Sequence, residues 1–189
     1  LAKSKVKLLQ ESVSKFTTPK YPKVQRSPES FAAKTAMAEE QLAHLQTRYN
    51  NLSPDEDRRL LRDSIDYWLR RYQGYAVEAE LGAHYTTAQA RAQGSRYFEH
   101  VVPLCRGRDM LIGQQLTPIQ AMYIPTCFIT KEQNDALNKA GRGAHSDDYW
   151  LFFSRYDCFT DVIMTHDGTV VDPATWTLAD HYKHFKIKI

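Results

Sequence analysis

Glu99 and His100 stand side by side in Tyr97-Phe98-Glu99-His100-Val101-Val102-Pro103, an acid and an imidazole set in a run of aromatic and β-branched residues. A carboxylate can hold a divalent ion while an imidazole takes the proton from an attacking water, which is the division of labour of a metal-dependent nuclease. On this reading His100 and Glu99 are the catalytic candidates. Glu99 also serves as a metal ligand, with Asn134 as the third group on a following helix. Adjacent residues of a strand point to opposite faces, so Glu99 and His100 would share one ion only where the strand bends. The competing reading makes His100 a hydrogen-bonded strand residue and Glu99 the partner of Arg96 or Arg106.

The run Glu-His-Val-Val-Pro, followed by Ile129-Thr130-Lys131-Glu132-Gln133 and Leu137, resembles uncharacterised bacterial and phage proteins and, more loosely, nucleases of the HNH type. The resemblance covers residues 97–156. It implies an acid-histidine pair completed by Asn134, and a divalent metal as cofactor only if the nuclease reading holds.

Three other groupings carry weaker chemistry. In Asp180-His181-Tyr182-Lys183-His184 the histidines stand three apart and would face one way on a helix. No cysteine or third histidine sits at a recognised ligand spacing, so a surface helix is expected there. The loop from Gly141 through Arg142 to Asp148 offers amides and a guanidinium to a phosphate, but it lacks the Lys-Ser/Thr of a P-loop and reads first as a surface loop. Tyr149, Trp150, Phe152, Phe153 and Tyr156 would suit base stacking if exposed; their density points instead to a hydrophobic core. No Gly-x-Ser-x-Gly is present, and Cys105, Cys127 and Cys158 lie in no nucleophile or Cys-x-x-Cys metal motif. Their odd number and wide spacing fit a reducing cytoplasm.

Charge gives the sharpest signal. Lys3, Lys5, Lys7, Lys15, Lys20, Lys23 and Arg26 face one acid, Glu11, within the first 28 residues, which hold +6. The whole chain is only +3, so the remaining 161 residues, with 18 basic against 21 acidic side chains, carry −3. Pro19, Pro22 and Pro28 deny this stretch a long helix or a central strand. A cationic arm on a mildly acidic body seeks a polyanion, most often nucleic acid. The alternation of Lys3, Lys5 and Lys7 would place three ammonium groups on one face of a strand; a solvated tail is the equal alternative.

The body must position these groups. Ala38, Leu42, Leu45 and Tyr49 recur at helical spacing and predict a helix over residues 31–50. Ser53-Pro54-Asp55-Glu56 reads as a capping box that opens a second helix, whose apolar face of Leu61, Ile65, Trp68, Leu69, Tyr72 and Ala76 continues toward Gly82. The two helices should pack antiparallel and offer a face for a homodimer. Arg58, Arg59, Arg62, Arg70 and Arg71 interleave with Asp55, Asp57, Asp63 and Asp66, as ordinary pairs on a helix surface do. Arg70 and Arg71 are the least neutralised, and so are the candidates for phosphate contact. Short strands are expected at Tyr97–Val102 and Cys127–Thr130, helix starts at Thr117-Pro118, Thr130 and Thr177, and a hairpin about His166-Asp167-Gly168.

The expectation is an α+β chain: a basic arm at residues 1–30, then one globular domain at 31–189 with the helical pair first and a smaller mixed region of short strands, a hairpin and short helices after it. The longest apolar runs are far too short for a membrane span. The leading functional expectation is a cytoplasmic DNA-binding accessory or regulatory protein of bacterial or phage type, with nucleic acid as partner and no membrane. The alternatives are the HNH-like nuclease and a protein-interaction module such as an inhibitor or assembly factor.

Overall fold

The structure, a computed structural model, describes residues 28–53, 57–73, 82–95, 97–141 and 150–187. The cationic side chains Lys3, Lys5, Lys7, Lys15, Lys20, Lys23 and Arg26 lie outside the described residues.

Helix α1 spans Pro28–Asn50 and helix α2 spans Arg59–Tyr72. They bury the stripe that their sequences mark: Ala38 and Leu42 on α1, Ile65, Leu69 and Tyr72 on α2. Each fully buried Leu or Ile contributes about 1.5–3 kcal/mol by leaving water. The pair is antiparallel. Thr35 Oγ1 lies 3.1 Å from Tyr72 Oη where α1 begins and α2 ends, and the Arg58 guanidinium sits 5.5 Å over the Tyr49 ring at the other end. The second helix starts later than its sequence suggests. Asp57 Oδ1 accepts from the Arg59 backbone N–H at 2.8 Å and takes up the first free donor, so the helix opens at Arg59. Pro54, Asp55 and Glu56, and the continuation expected through Ala76, lie outside the described residues.

Among the described residues five short strands follow: β1 (Tyr85–Thr87), β2 (Tyr97–His100), β3 (Thr126–Ile129), β4 (Ile163–Thr165) and β5 (Val170–Val171). Between them run α3 (Ala88–Gln93), α4 (Leu104–Ile112), α5 (Pro118–Met122) and α6 (Lys131–Ala140), then a 3-10 turn at Phe152–Tyr156, and α7 (Leu178–His184) closes the described chain. The strands form one mixed sheet in the order β2-β3-β1-β4-β5. Its one parallel pair joins β1 to β3, with Tyr85 opposite Cys127; β2 meets β3, and β4 meets β1 and β5, antiparallel. The fold is α+β.

Local signals set most of these boundaries. Thr117, Thr130 and Thr177 each cap a helix with a side-chain oxygen, and Gln120, Gln133 and Asp180 close the boxes. Gly168 takes φ 96° in the turn from β4 to β5, a conformation that other side chains resist. The aromatic run after residue 150 is core rather than platform: Phe152, Phe153 and Tyr156 are buried against Tyr85 and its neighbours, while Trp150 stays about half exposed. Tyr149 lies outside the described residues. No described helix is long and apolar enough to cross a membrane.

Candidate nucleic-acid interface

Strand β2 carries the acid-histidine pair along one edge of the sheet. Glu99 sits opposite Cys127 and His100 opposite Thr126, and the ladder runs on as the Val101 N–H donates to Pro125 O at 3.0 Å. A third residue covers the edge. Arg155, on the 3-10 turn, pairs its Nη2 with Glu99 Oε1 at 2.8 Å and donates from Nη1 to His100 O at 2.8 Å and Val101 O at 3.3 Å. The two paired side chains are only 9% and 21% exposed. The Glu99 carboxylate is thus neutralised by a largely buried guanidinium, which also caps carbonyls of the edge.

His100 is partly buried, its ring edge-on to Phe98 at 5.3 Å, and its Nε2 is enclosed without a hydrogen-bond partner. Burial, then the charges of Arg70 and Arg155, push its pKa down to about 4, so the imidazole is neutral near neutral pH. Asn134 belongs to the first turns of α6, which leaves β3 just beyond Ile129, opposite Tyr97. His100 closes the other end of the ladder, three residues or about 10 Å away along the strand. Among the described residues, no group of three or more His, Cys, Asp and Glu side chains is placed to hold a metal ion.

The arginines of α2 divide into two sets. Arg62 pairs with Asp109 at 3.1 Å, and Arg108 pairs with Asp66 at 2.6 Å and with Asp109 at 3.0 Å. The Arg62–Asp109 and Arg108–Asp66 bonds cross from α2 to α4 instead of running along one helix face as the spacing suggested, because α4, which carries Arg108 and Asp109, packs beside α2. Arg70 and Arg71 end α2 in exposed positions, Arg71 lying 5.8 Å over the Tyr67 ring. Arg70 has no ion pair among the described residues, and its charge reaches His100. The structure therefore brings Arg70, Arg155, Glu99 and His100 into one neighbourhood.

The second histidine pair does not face one way into solvent. His181 is fully buried, with Nδ1 2.9 Å from Tyr85 Oη and Nε2 2.7 Å from Tyr123 O, while His184 Nε2 meets Asp167 Oδ2 at 3.3 Å on the hairpin turn. With both ring nitrogens engaged, His181 has no lone pair left for a metal. Beside it lies His84, also fully buried, with ring centroids 4.8 Å apart. His84 stands next to the short strand β1, and no periodic pattern marks it in the sequence. Of the Gly141 loop, Arg142 to Asp148 lie outside the described residues.

No family model, curated protein or solved structure matches this chain.

Proposed function

We propose that this chain is a DNA-binding accessory or regulatory protein that gathers phosphates at one cationic end of its helical pair. One relationship supports the reading: the Thr35–Tyr72 contact ties the start of α1 to the end of α2. The sequence that precedes Pro28, with its seven cations, therefore joins the body at the end where Arg70 and Arg71 stand. Seven residues of helix, about 10 Å, separate Thr35 from Pro28. A strand of DNA at this end would meet Arg70 and Arg71 where the cationic sequence joins the body.

The nuclease reading draws less support, since Glu99 already neutralises Arg155 and His100 titrates far below neutrality. The test is a salt titration of DNA binding by the intact protein and by a form lacking residues 1–28. Each phosphate contact contributes about −0.9 to the slope of log affinity against log salt, so the truncation flattens it by several units. An unchanged slope, or no binding by the intact protein, overturns the proposal.

A further inference from the structure

At the opposite end of the helical pair, the last turn of α1 faces the loop between α4 and α5 across an open cleft of about 440 Å³. Six carboxamides line it, Gln46, Asn50, Asn51, Gln114, Gln115 and Gln120, and no ionisable side chain does. Two of them build the wall. Gln46 Nε2 donates to Leu111 O at 2.5 Å, and Gln120 Oε1 accepts from the Thr117 backbone N–H at 2.8 Å. The other four are exposed, and among the described residues their side chains make no hydrogen bond. Each carries two N–H donors and a carbonyl acceptor in one plane.

An anion is a poor match for this cleft. Its wall holds no cation, and α1 ends there, where the carbonyl end of a helix bears partial negative charge. The complement is a neutral ligand with donors and acceptors side by side along an edge. A nucleobase is such a ligand: its edge sets N–H donors beside carbonyl or ring-nitrogen acceptors in one plane, and side-chain carboxamides pair with that edge two bonds at a time.

We infer that the cleft receives one unstacked nucleobase, whose hydrogen-bonding edge is read by Asn50, Asn51, Gln114 and Gln115. The inference rests on the DNA-binding reading and adds a source of specificity that phosphate contacts lack. It also sets a length. From Thr35 to Asn50 the helix rises about 22 Å, which matches about six or seven stacked nucleotides between the cationic end and the cleft.

The test uses the full chain and single-stranded DNA. A preferred oligonucleotide is selected from a random pool, then rebuilt with an abasic site at each position in turn. Affinity should fall about tenfold at one or two adjacent positions and hold elsewhere, as the loss of one two-point base contact predicts. Asn50→Ala with Gln115→Ala, both at exposed sites, should flatten that profile and leave the salt slope and the melting temperature unchanged. A flat abasic profile with salt-dependent binding overturns the cleft assignment and spares the DNA-binding reading. Absence of any DNA binding overturns both. Binding of cellohexaose that Asn50→Ala weakens, beside a flat abasic profile, assigns the cleft to a saccharide and overturns the nucleobase.

Discussion

The Tyr85 hydroxyl donates to His181 Nδ1 at 2.9 Å, and the direction of that bond follows from its surroundings. His181 Nε2 lies 2.7 Å from Tyr123 O, a carbonyl that only accepts, so Nε2 carries the proton and Nδ1 must accept. Tyr85 Oη in turn accepts from Trp176 Nε1 at 2.8 Å. A directed chain, Trp176 to Tyr85 to His181 to Tyr123, thus links α7 and the segment before it to the central strand β1 and the loop after α5. It requires a neutral His181.

Tyr85→Phe should therefore destabilise the protein by about 1–3 kcal/mol, although the ring volume is kept. The substitution leaves a buried imidazole nitrogen without its donor and an indole N–H without its acceptor. Urea unfolding of the two proteins reads the difference directly. Equal midpoints would mean that the chain contributes packing alone.

Acid should loosen the fold in a defined window. Burial holds the pKa of His181 down to about 3 and that of His84 well below its ordinary value, where the neighbouring His181 and His166 add further repulsion. The unfolded chain then binds more protons than the folded one as soon as the pH falls below about 6.5, so stability is full above that point and declines toward the folded values. The carboxylates near this cluster, Asp167 and Asp180, do not reverse the sign, since both are held below their ordinary values. Asp167 is held down to about 2 by its bonds from Thr165 and the Thr169 backbone, so its share is lost only at lower pH. Between about pH 7 and pH 4.5, His181 alone should withdraw on the order of 2 kcal/mol. Urea midpoints that stay constant over that range would contradict the neutral, buried assignment.

Gln133 should prove the most sensitive of the cap residues. Its Oε1 accepts from the Thr130 backbone N–H and from Thr87 Oγ1, both at 2.9 Å, while its Nε2 donates to Asp161 Oδ2 at 2.8 Å. One buried amide thereby joins the start of α6, the end of β1 and the segment before β4. Gln133→Glu keeps the acceptor and sets an oxygen against the Asp161 carboxylate. It should lower the melting temperature more than Gln120→Glu does in the other glutamine box. A smaller loss at Gln133 than at Gln120 would show that the Asp161 link adds nothing.

The Gln133 cap was legible because a capping box spans four residues of sequence; its bonds to Thr87 and Asp161 were not, since they cross 46 and 28 residues. The same division runs through the fold. Helix starts at Thr117, Thr130 and Thr177 and the Gly168 turn are local events and follow from local residues. The central strand β1 is three residues long and runs straight into α3, too short to show alternation. Helix α4 hides behind a glycine: a Cβ on Gly107 would stand 3.0 Å from Ile124 Cδ1, so the residue that weakens the helical pattern is the one that lets α4 pack closely. At the candidate site, Glu99 and His100 were placed on a strand by their neighbours, but Arg155 lies 56 residues from Glu99 and no spacing announces it.

Arg155→Ala should cost about 2 kcal/mol or more. It removes a charged partner from a partly buried carboxylate and uncaps two edge carbonyls, and the exposure of Glu99 keeps the loss below that of a fully buried pair. Arg155→Lys should recover little, since one ammonium cannot hold Glu99 and the carbonyls with the same fork. Full rescue by lysine would reduce Arg155 to a point charge.

Arg70 offers a cleaner probe, because it is exposed and its removal should leave the fold intact. Its charge helps hold the proton off His100, so Arg70→Ala should raise the His100 midpoint from about 4 while burial still keeps it below the ordinary histidine value. A phosphate bound at Arg70 should act in the same sense by cancelling that charge, and DNA should then move His100 upward in the parent protein but not in Arg70→Ala. Proton NMR of the histidine ring reads both shifts. A His100 midpoint that ignores the substitution would place Arg70 out of range. One that responds to the substitution but not to DNA would remove Arg70 from the phosphate-binding end and leave the arm to act alone.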